Sequence, residues 1–352
     1  ADSRGNKKSF MKFFTYLGSA ACAAMFFFDE TNLGLGITTS IIASIGFAGS
    51  LVFYNAFLPE IATPDKFDKL SAKGFSMGYI GSVILLIVNL ALIMAGEKIG
   101  INESLASQIS FLTVAIWWAG FAQISFKNIP EESRLSSNNS NPVSAGYKEL
   151  QKAWGMAKEE KSLKMFLLSF FFYSMGVQTV MYLATLFGTS ELKLETSNLI
   201  LAILIIQLVA IGGAHLFSKI SKSQGNIFSL KIAIIIWMGI CVFTFFFVVD
   251  AFTFYIDALL VGLVMGGIQS TSRSTYSKLI PKGDDNASFF SLYEIGEKIG
   301  IVLGTFSFGL IIHLTGTMRN SVLALAIYFL IGFILLMLIK DSRLFGQEVQ
   351  ED

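Results

Sequence analysis

The chain has little of what soluble catalytic or metal-binding domains draw on. Charged residues make up 14% of its 352 positions, against about 25% in a soluble domain. Histidine occurs only twice, at His215 and His313, which argues against a histidine-based metal centre. Both lie near the ends of apolar runs and read as interfacial groups. The two cysteines, Cys22 and Cys241, lie inside apolar runs and read as small core residues, not a disulfide or a metal site. A net charge of +1 gives no basis for a nucleic-acid partner. No Gly-x-x-x-x-Gly-Lys-Ser/Thr loop is present, so the chain has no phosphate cradle for ATP, and no cofactor is expected. No signal-peptide pattern opens it.

Long apolar runs are abundant. Hydrophobic residues reach 53%, Phe alone contributes 34 residues, and the mean hydropathy is +0.64. A helix needs about 20 apolar residues to cross the hydrocarbon core. Ten such stretches occur, at 10–28, 33–57, 75–96, 104–126, 163–187, 196–217, 228–249, 252–272, 288–313 and 320–339. A transmembrane barrel would alternate in polarity over ~10-residue segments, and runs such as Leu199–Ile206 do not. The expected fold is all-α and membrane-embedded.

Lys and Arg set the orientation. When the connecting segments are assigned alternately to two sides, 22 of the 26 basic residues fall on the side of the N-terminus. Only Lys98, Lys193 and Arg319 fall on the other, and Lys298 lies inside a span. This predicts that both ends are cytoplasmic, and the expected location is a bacterial inner (plasma) membrane. One connection is long, 127–162, with the loop signal Ser136-Ser137-Asn138-Asn139-Ser140-Asn141-Pro142. Within it Tyr147, Leu150, Ala153, Trp154 and Ala157 recur at helical spacing. An amphipathic helix on the membrane surface and a solvated linker helix both fit. The expected division is 1–126, a four-span bundle; 127–162, the linker; and 163–352, a six-span bundle.

The two parts repeat one another. Tyr54…Leu58-Pro59…Phe75-Ser76…Ile80-Gly81 is echoed by Tyr276…Ile280-Pro281…Phe290-Ser291…Ile295-Gly296, and Gly5-Asn6 by Gly225-Asn226. Parallel repeats mark transporters built from two halves. Gly225-Asn226 follows the second span of its half, whereas Gly5-Asn6 opens the chain. The expectation is a twelve-span protein whose first two spans are absent here.

The opening Asp2-Ser3-Arg4-Gly5-Asn6-Lys7-Lys8 resembles the end of the major facilitator signature between spans two and three. In the second half Lys222 stands where that signature has its acid. Phe53-Tyr54-Asn55-Ala56-Phe57-Leu58-Pro59-Glu60-Ile61-Ala62, Ser71–Gly81 and Gln269–Tyr276 with Leu279-Ile280-Pro281 are similar to the vacuolar amino-acid effluxer-like (autophagy-related efflux) branch of that superfamily. The resemblance implies a two-bundle helical fold and alternating-access efflux of amino acids or related small solutes. It also implies a cytoplasmic gate formed by Asp2, Arg4, Gly5 and Lys7.

Ionisable groups inside a membrane are costly and mark pathways or structural pairs. Glu294, Glu297 and Lys298 form the strongest cluster. Glu294 and Lys298 are four apart and share a helix face. Lys298 lies about 16 Å along the helix from Ala287, near mid-membrane. A solute or proton contact and a structural ion pair are both open readings. The matching positions of the first half are Tyr79, Ser82 and Val83, so the fold itself does not need the charges. Asp257 reads as a carboxylate close to the external end, and Arg273 as a snorkelling cation. Tyr173, Gln178, Gln207 and Gln269 are further pathway candidates or interhelical glue. The partners implied are a small-molecule solute, an amino acid by resemblance, protons as a candidate coupling ion, and the bilayer, with the protein a monomer. A carrier of an unrelated solute or drug, or a scaffold that transports nothing, stands as the alternative. A lipid-acting enzyme would need a nucleophile or metal constellation that the sequence does not offer.

Overall fold

The computed structural model describes residues 7–29, 31–96, 100, 102–130, 142–281, 283, 286–340 and 344. Among these residues, ten helices are long and apolar enough to cross a membrane. They are α1 (Lys7–Ala24, continued by a 3₁₀ turn, Met25–Phe27), α2 (Leu33–Ala56), α4 (Phe67–Gly96), α5 (Glu103–Asn128), α7 (Lys161–Ser190), α8 (Thr196–Gln224), α9 (Asn226–Phe247), α10 (Ala251–Leu279), α11 (Asn286–Thr315) and α12 (Met318–Met337). A one-turn helix, α3 (Leu58–Ile61), follows α2, and α6 (Pro142–Glu159) precedes α7. Every predicted span corresponds to one of these helices. Helix is the expected form because a backbone in lipid must satisfy its own hydrogen bonds.

Several helices run past the predicted limits of their spans. α4 begins at Phe67 instead of 75, and α10 ends at Leu279 instead of 272. The extensions are polar, and hydropathy alone cuts them off. In α10 the run Ser270–Ser277 is buried throughout. Several of its hydroxyls bond back along the helix: Ser270 to Gly266 O (2.7 Å), Thr275 to Thr271 O (2.6 Å) and Ser277 to Arg273 O (2.8 Å), while the buried Thr271 hydroxyl has no partner among the described residues.

The chain forms two compact units, and these do not follow chain order. The first comprises residues 1–57, 81–151 and 283–291; the second comprises 58–80, 152–282 and 292–352. In the first unit α1 packs on α2 and α5. Gly46 of α2 lies against the backbone of Gly18 of α1, the close approach that small residues permit. Phe10 stacks on Phe53 at 5.5 Å, and Thr113 of α5 donates to Asn89 of α4 at 2.7 Å.

In the second unit α8 packs on α10, and α12 on α7 and α9. The α8–α10 crossing is close because Gly213 faces the Leu263 carbonyl and Gly266 faces the Ala210 carbonyl. Trp237 and Phe329, both fully buried, stack at 5.4 Å between α9 and α12. Gly300 and Gly304 of α11 approach Met175 of α7, whereas Gly296 has nothing near it. Outward faces carry rows of large apolar side chains, among them Phe246, Phe252, Val302 and Phe306. So large an apolar surface suits lipid contact.

Local geometry at two points bears on the polar groups. Gly225 has φ +91° and alone joins α8 to α9, a backbone conformation open to glycine at little cost. It sets Asn226 as the first residue of α9. In the linker, α6 buries Ala153 and Ala157 while Tyr147 and Trp154 stay exposed, and Lys158 lies over the Trp154 ring at 5.0 Å.

Candidate functional site

The helices of the second unit bring polar groups together at three levels. The first is the charged turn of α11. Lys298 Nζ lies 3.0 Å from Glu297 Oε1 and 3.7 Å from Glu294 Oε2. The predicted four-apart pair therefore forms, but the shorter contact is to the adjacent Glu297, reached by the flexible lysine stem. Glu294 is buried, while the Lys298 side chain is 39% exposed. The charge therefore has access to whatever lies beside the helix.

Aromatic groups surround this turn. Tyr293 stacks on Phe170 of α7 at 3.9 Å and lies 5.1 Å from Tyr276 of α10. Its titratable neighbours are Tyr173, Glu297, Glu294 and Arg273. Tyr173, fully buried on α7, shares a 2.8 Å hydrogen bond with Ser272 of α10. Three helices distant in sequence thus converge on one polar cluster.

The second level joins α10 to the first half of α4. Tyr79 donates to Gln269 Oε1 at 2.6 Å. Arg273 does not snorkel: it is buried, and donates from Nε to Ser71 Oγ (2.9 Å) and from Nη2 to Ser71 O (2.8 Å). Its guanidinium also lies 4.5 Å from the Phe75 ring centroid. A flat guanidinium can make this forked and stacked contact, and an ammonium cannot. Ser76 Oγ sits 3.1 Å from His215 Nδ1.

The third level lies at the basic end of the helices. Asp68 of α4 accepts from Lys278 Nζ at 2.7 Å and from Asn226 Nδ2 at 2.7 Å. Lys278 also donates to Asn226 Oδ1 at 2.7 Å, and Asn226 to Ser274 Oγ at 3.2 Å. Reading the sequence does not find this group. There Lys278 is one of many basic residues, and the Gly225-Asn226 repeat is the one signal that marks a member.

The remaining candidates are not gathered in. Gln178 and Gln207 are half-buried and make no side-chain hydrogen bond among the described residues. Of the expected gate, Asp2, Arg4 and Gly5 lie outside the described residues, and Lys7 is buried at the start of α1. At the opposite end Arg319 pairs with Glu191 at 3.0 Å. Asp257 is buried inside the second unit, its Oδ1 3.0 Å from Thr244 Oγ1 of α9.

A bundle of long apolar helices with buried charged clusters fits a membrane transporter. Comparison with known proteins shows the class to be that of the MFS-type transporters. Residues 1–345 match the family described as vacuole effluxer Atg22 like, and the chain belongs to it. The uncharacterized MFS-type transporter YxiO of Bacillus subtilis is 32% identical over 97% of this chain and 79% of its own length. Autophagy-related protein 22 of Saccharomyces cerevisiae is 30% identical over 78% of this chain. The chain spans 57% of that protein and 51% of its Yarrowia lipolytica counterpart. Among solved structures, the major facilitator superfamily transporter FucP aligns over 96% of this chain and 83% of its own with a TM-score of 0.70 at 13% identity. The human organic anion transporter MFSD10 aligns over 94% and 77%, also with a TM-score of 0.70 and 13% identity. These structures share the fold, and the relatives are transporters, not enzymes.

Proposed function

We propose that the protein is a secondary transporter that exports amino acids or similar small solutes across a bacterial plasma membrane by alternating access. The observation that carries this reading is the Glu294–Glu297–Lys298 cluster on α11, ringed by Tyr173, Tyr276 and Tyr293. A zwitterionic solute presents one cation and one carboxylate. Lys298 offers a partner for the carboxylate and Glu297 one for the amine, each a charge-assisted contact. The family's description as vacuole effluxers supports export, and the resemblance in sequence favours amino acids. The Lys and Arg asymmetry supports cytoplasmic ends. The Asp68–Asn226–Lys278 group then lies on the cytoplasmic side. With no ATP-binding loop, a solute or ion gradient supplies the driving force.

The test is exchange of a labelled amino-acid panel in liposomes holding the purified protein, with and without a pH gradient. Flux that follows the gradient and collapses in Lys298→Ala supports a coupled carrier centred on this cluster. Gradient-independent flux supports a facilitator. No flux of any amino acid by folded protein overturns the substrate class.

A further inference from the structure

Asp257 is a carboxyl group that this transport mechanism does not use. It is 8% exposed on α10 and faces a partly open cavity of about 40 Å³. The lining includes Phe187, Cys241, Thr244, Phe254, Phe308 and Leu325, from α7, α9, α10, α11 and α12. Among the described residues no cation lies within ion-pair distance of Asp257. Arg319 of α12 reaches this region, its Nη1 3.4 Å from the Thr244 carbonyl, but it is engaged with Glu191 (3.0 Å) and the carbonyls of Phe245 (3.2 Å) and Val248 (2.7 Å). From α9 the titratable lining group is the buried Cys241 thiol, while α7 and α11 contribute apolar side chains and α8 contributes none to the lining. A bare carboxylate in such surroundings is costly unless something neutralises it.

The hydrogen bonds indicate what does so. Thr244 Oγ1 lies 2.8 Å from Ile240 O and 3.0 Å from Asp257 Oδ1. A threonine hydroxyl has one hydrogen and two lone pairs, so it donates to one of these partners at a time. If Thr244 donates to the Ile240 carbonyl, its lone pair can accept a hydrogen from a protonated Asp257, and both contacts are satisfied at once. If Asp257 is ionised, Thr244 must turn its hydrogen to the carboxylate and release Ile240. A hard metal cation takes about six or more oxygen ligands, and this apolar lining does not supply them.

We propose that Asp257 is a proton-binding site inside the second unit of the transporter. On release the proton passes to water in the cavity, which exceeds the ~10–15 Å³ that one water needs. The Thr244 hydroxyl then rotates from the Ile240 carbonyl to the carboxylate. Uptake reverses both moves. The role in coupling rests on the proposed transport function; proton binding itself does not.

Infrared difference spectroscopy on the reconstituted protein separates the two. The expected result is a carboxylic-acid C=O band at neutral pH that fades as pH rises and is missing in Asp257→Asn. Thr244→Val retains the acid but removes its acceptor, so the band should shift without vanishing. Asp257→Asn should also lose pH-gradient-driven accumulation by about tenfold or more while exchange at equal pH persists. Absence of the band in folded wild-type protein at every pH, or a band unchanged in both variants, overturns the proposal. If no amino acid is transported by wild type, the substrate reading fails while the infrared result still decides proton binding.

Discussion

Lys278, near the end of α10, sets its ammonium 2.7 Å from the Asp68 carboxylate of α4, and both side chains are almost wholly removed from solvent (12% and 8% exposed). Asn226 completes a triangle by donating to the acid and accepting from the lysine. Desolvating both charges costs about as much as their attraction returns, so such a pair specifies a geometry more than it adds stability. Removing one partner is different, because it strands the other charge.

Asp68→Asn and Lys278→Met should therefore each lower stability by about 3–5 kcal/mol. The double variant Asp68→Leu/Lys278→Leu should recover much of that loss. Thermal unfolding in detergent reads the difference. Additive losses would show that the two side chains are not coupled. In the transport assay the double variant should shift accessibility of cysteines placed at the basic end, since the tie holding that end is gone.

Glu297→Gln should reduce solute flux more than Glu294→Gln, because Glu297 makes the shorter contact with Lys298. A loss of tenfold or more is expected for Glu297→Gln, about 1.4 kcal/mol in barrier height. Thermal stability should change little in that variant, since Lys298 is partly exposed. Flux measured per folded protein separates the two effects.

Gly266→Val should disrupt the α8–α10 crossing, since its new Cβ would meet the Ala210 carbonyl. The clash is with backbone, which cannot swing aside, so a loss of about 1–3 kcal/mol or more is expected. Gly296→Val has open space and should be close to neutral. Melting temperatures of the two variants side by side test the contrast.

Asp250 caps α10 outside the membrane. Its carboxylate accepts from the Thr253 hydroxyl (2.7 Å) and N–H (2.8 Å). These bonds, the hydroxyl first, hold its pKa below the ordinary carboxylate value. Because the folded value is the lower one, the stabilisation is fully present above about pH 4, where the unfolded acid ionises. It is lost as pH falls through the folded value. Unfolding measured across that window should show a slope that Asp250→Asn flattens, since the amide still caps but does not titrate.

How much of the site is legible in the sequence depends on whether a residue's partner lies close along the chain. The Glu294–Lys298 pair is readable because helical spacing alone puts i and i+4 on one face. Tyr173 stands out as a polar group in an apolar span, but its partner Ser272 does not, because nothing local connects α7 to α10. Arg273 reads as a snorkelling cation for the same reason: Ser71 and Phe75, which hold it, lie about 200 positions away. Counting residues puts Asp257 near the external end but does not show that its side chain meets Thr244 of α9.

The sequence alone determined the ten spans and the family, since each rests on a property of one segment. A run of about 20 apolar residues must be a helix in lipid whatever surrounds it, and a motif is matched residue by residue. Tertiary structure decided which polar groups are neutralised and by what. Lys278 and Asp68 are 210 positions apart, and in sequence Lys278 does not differ from the other lysines of the basic side. It becomes half of a buried pair only because α4 and α10 meet there and Gly225 delivers Asn226 beside both side chains. A buried charge requires a partner, but helix packing, not local pattern, determines which group stands near enough to serve.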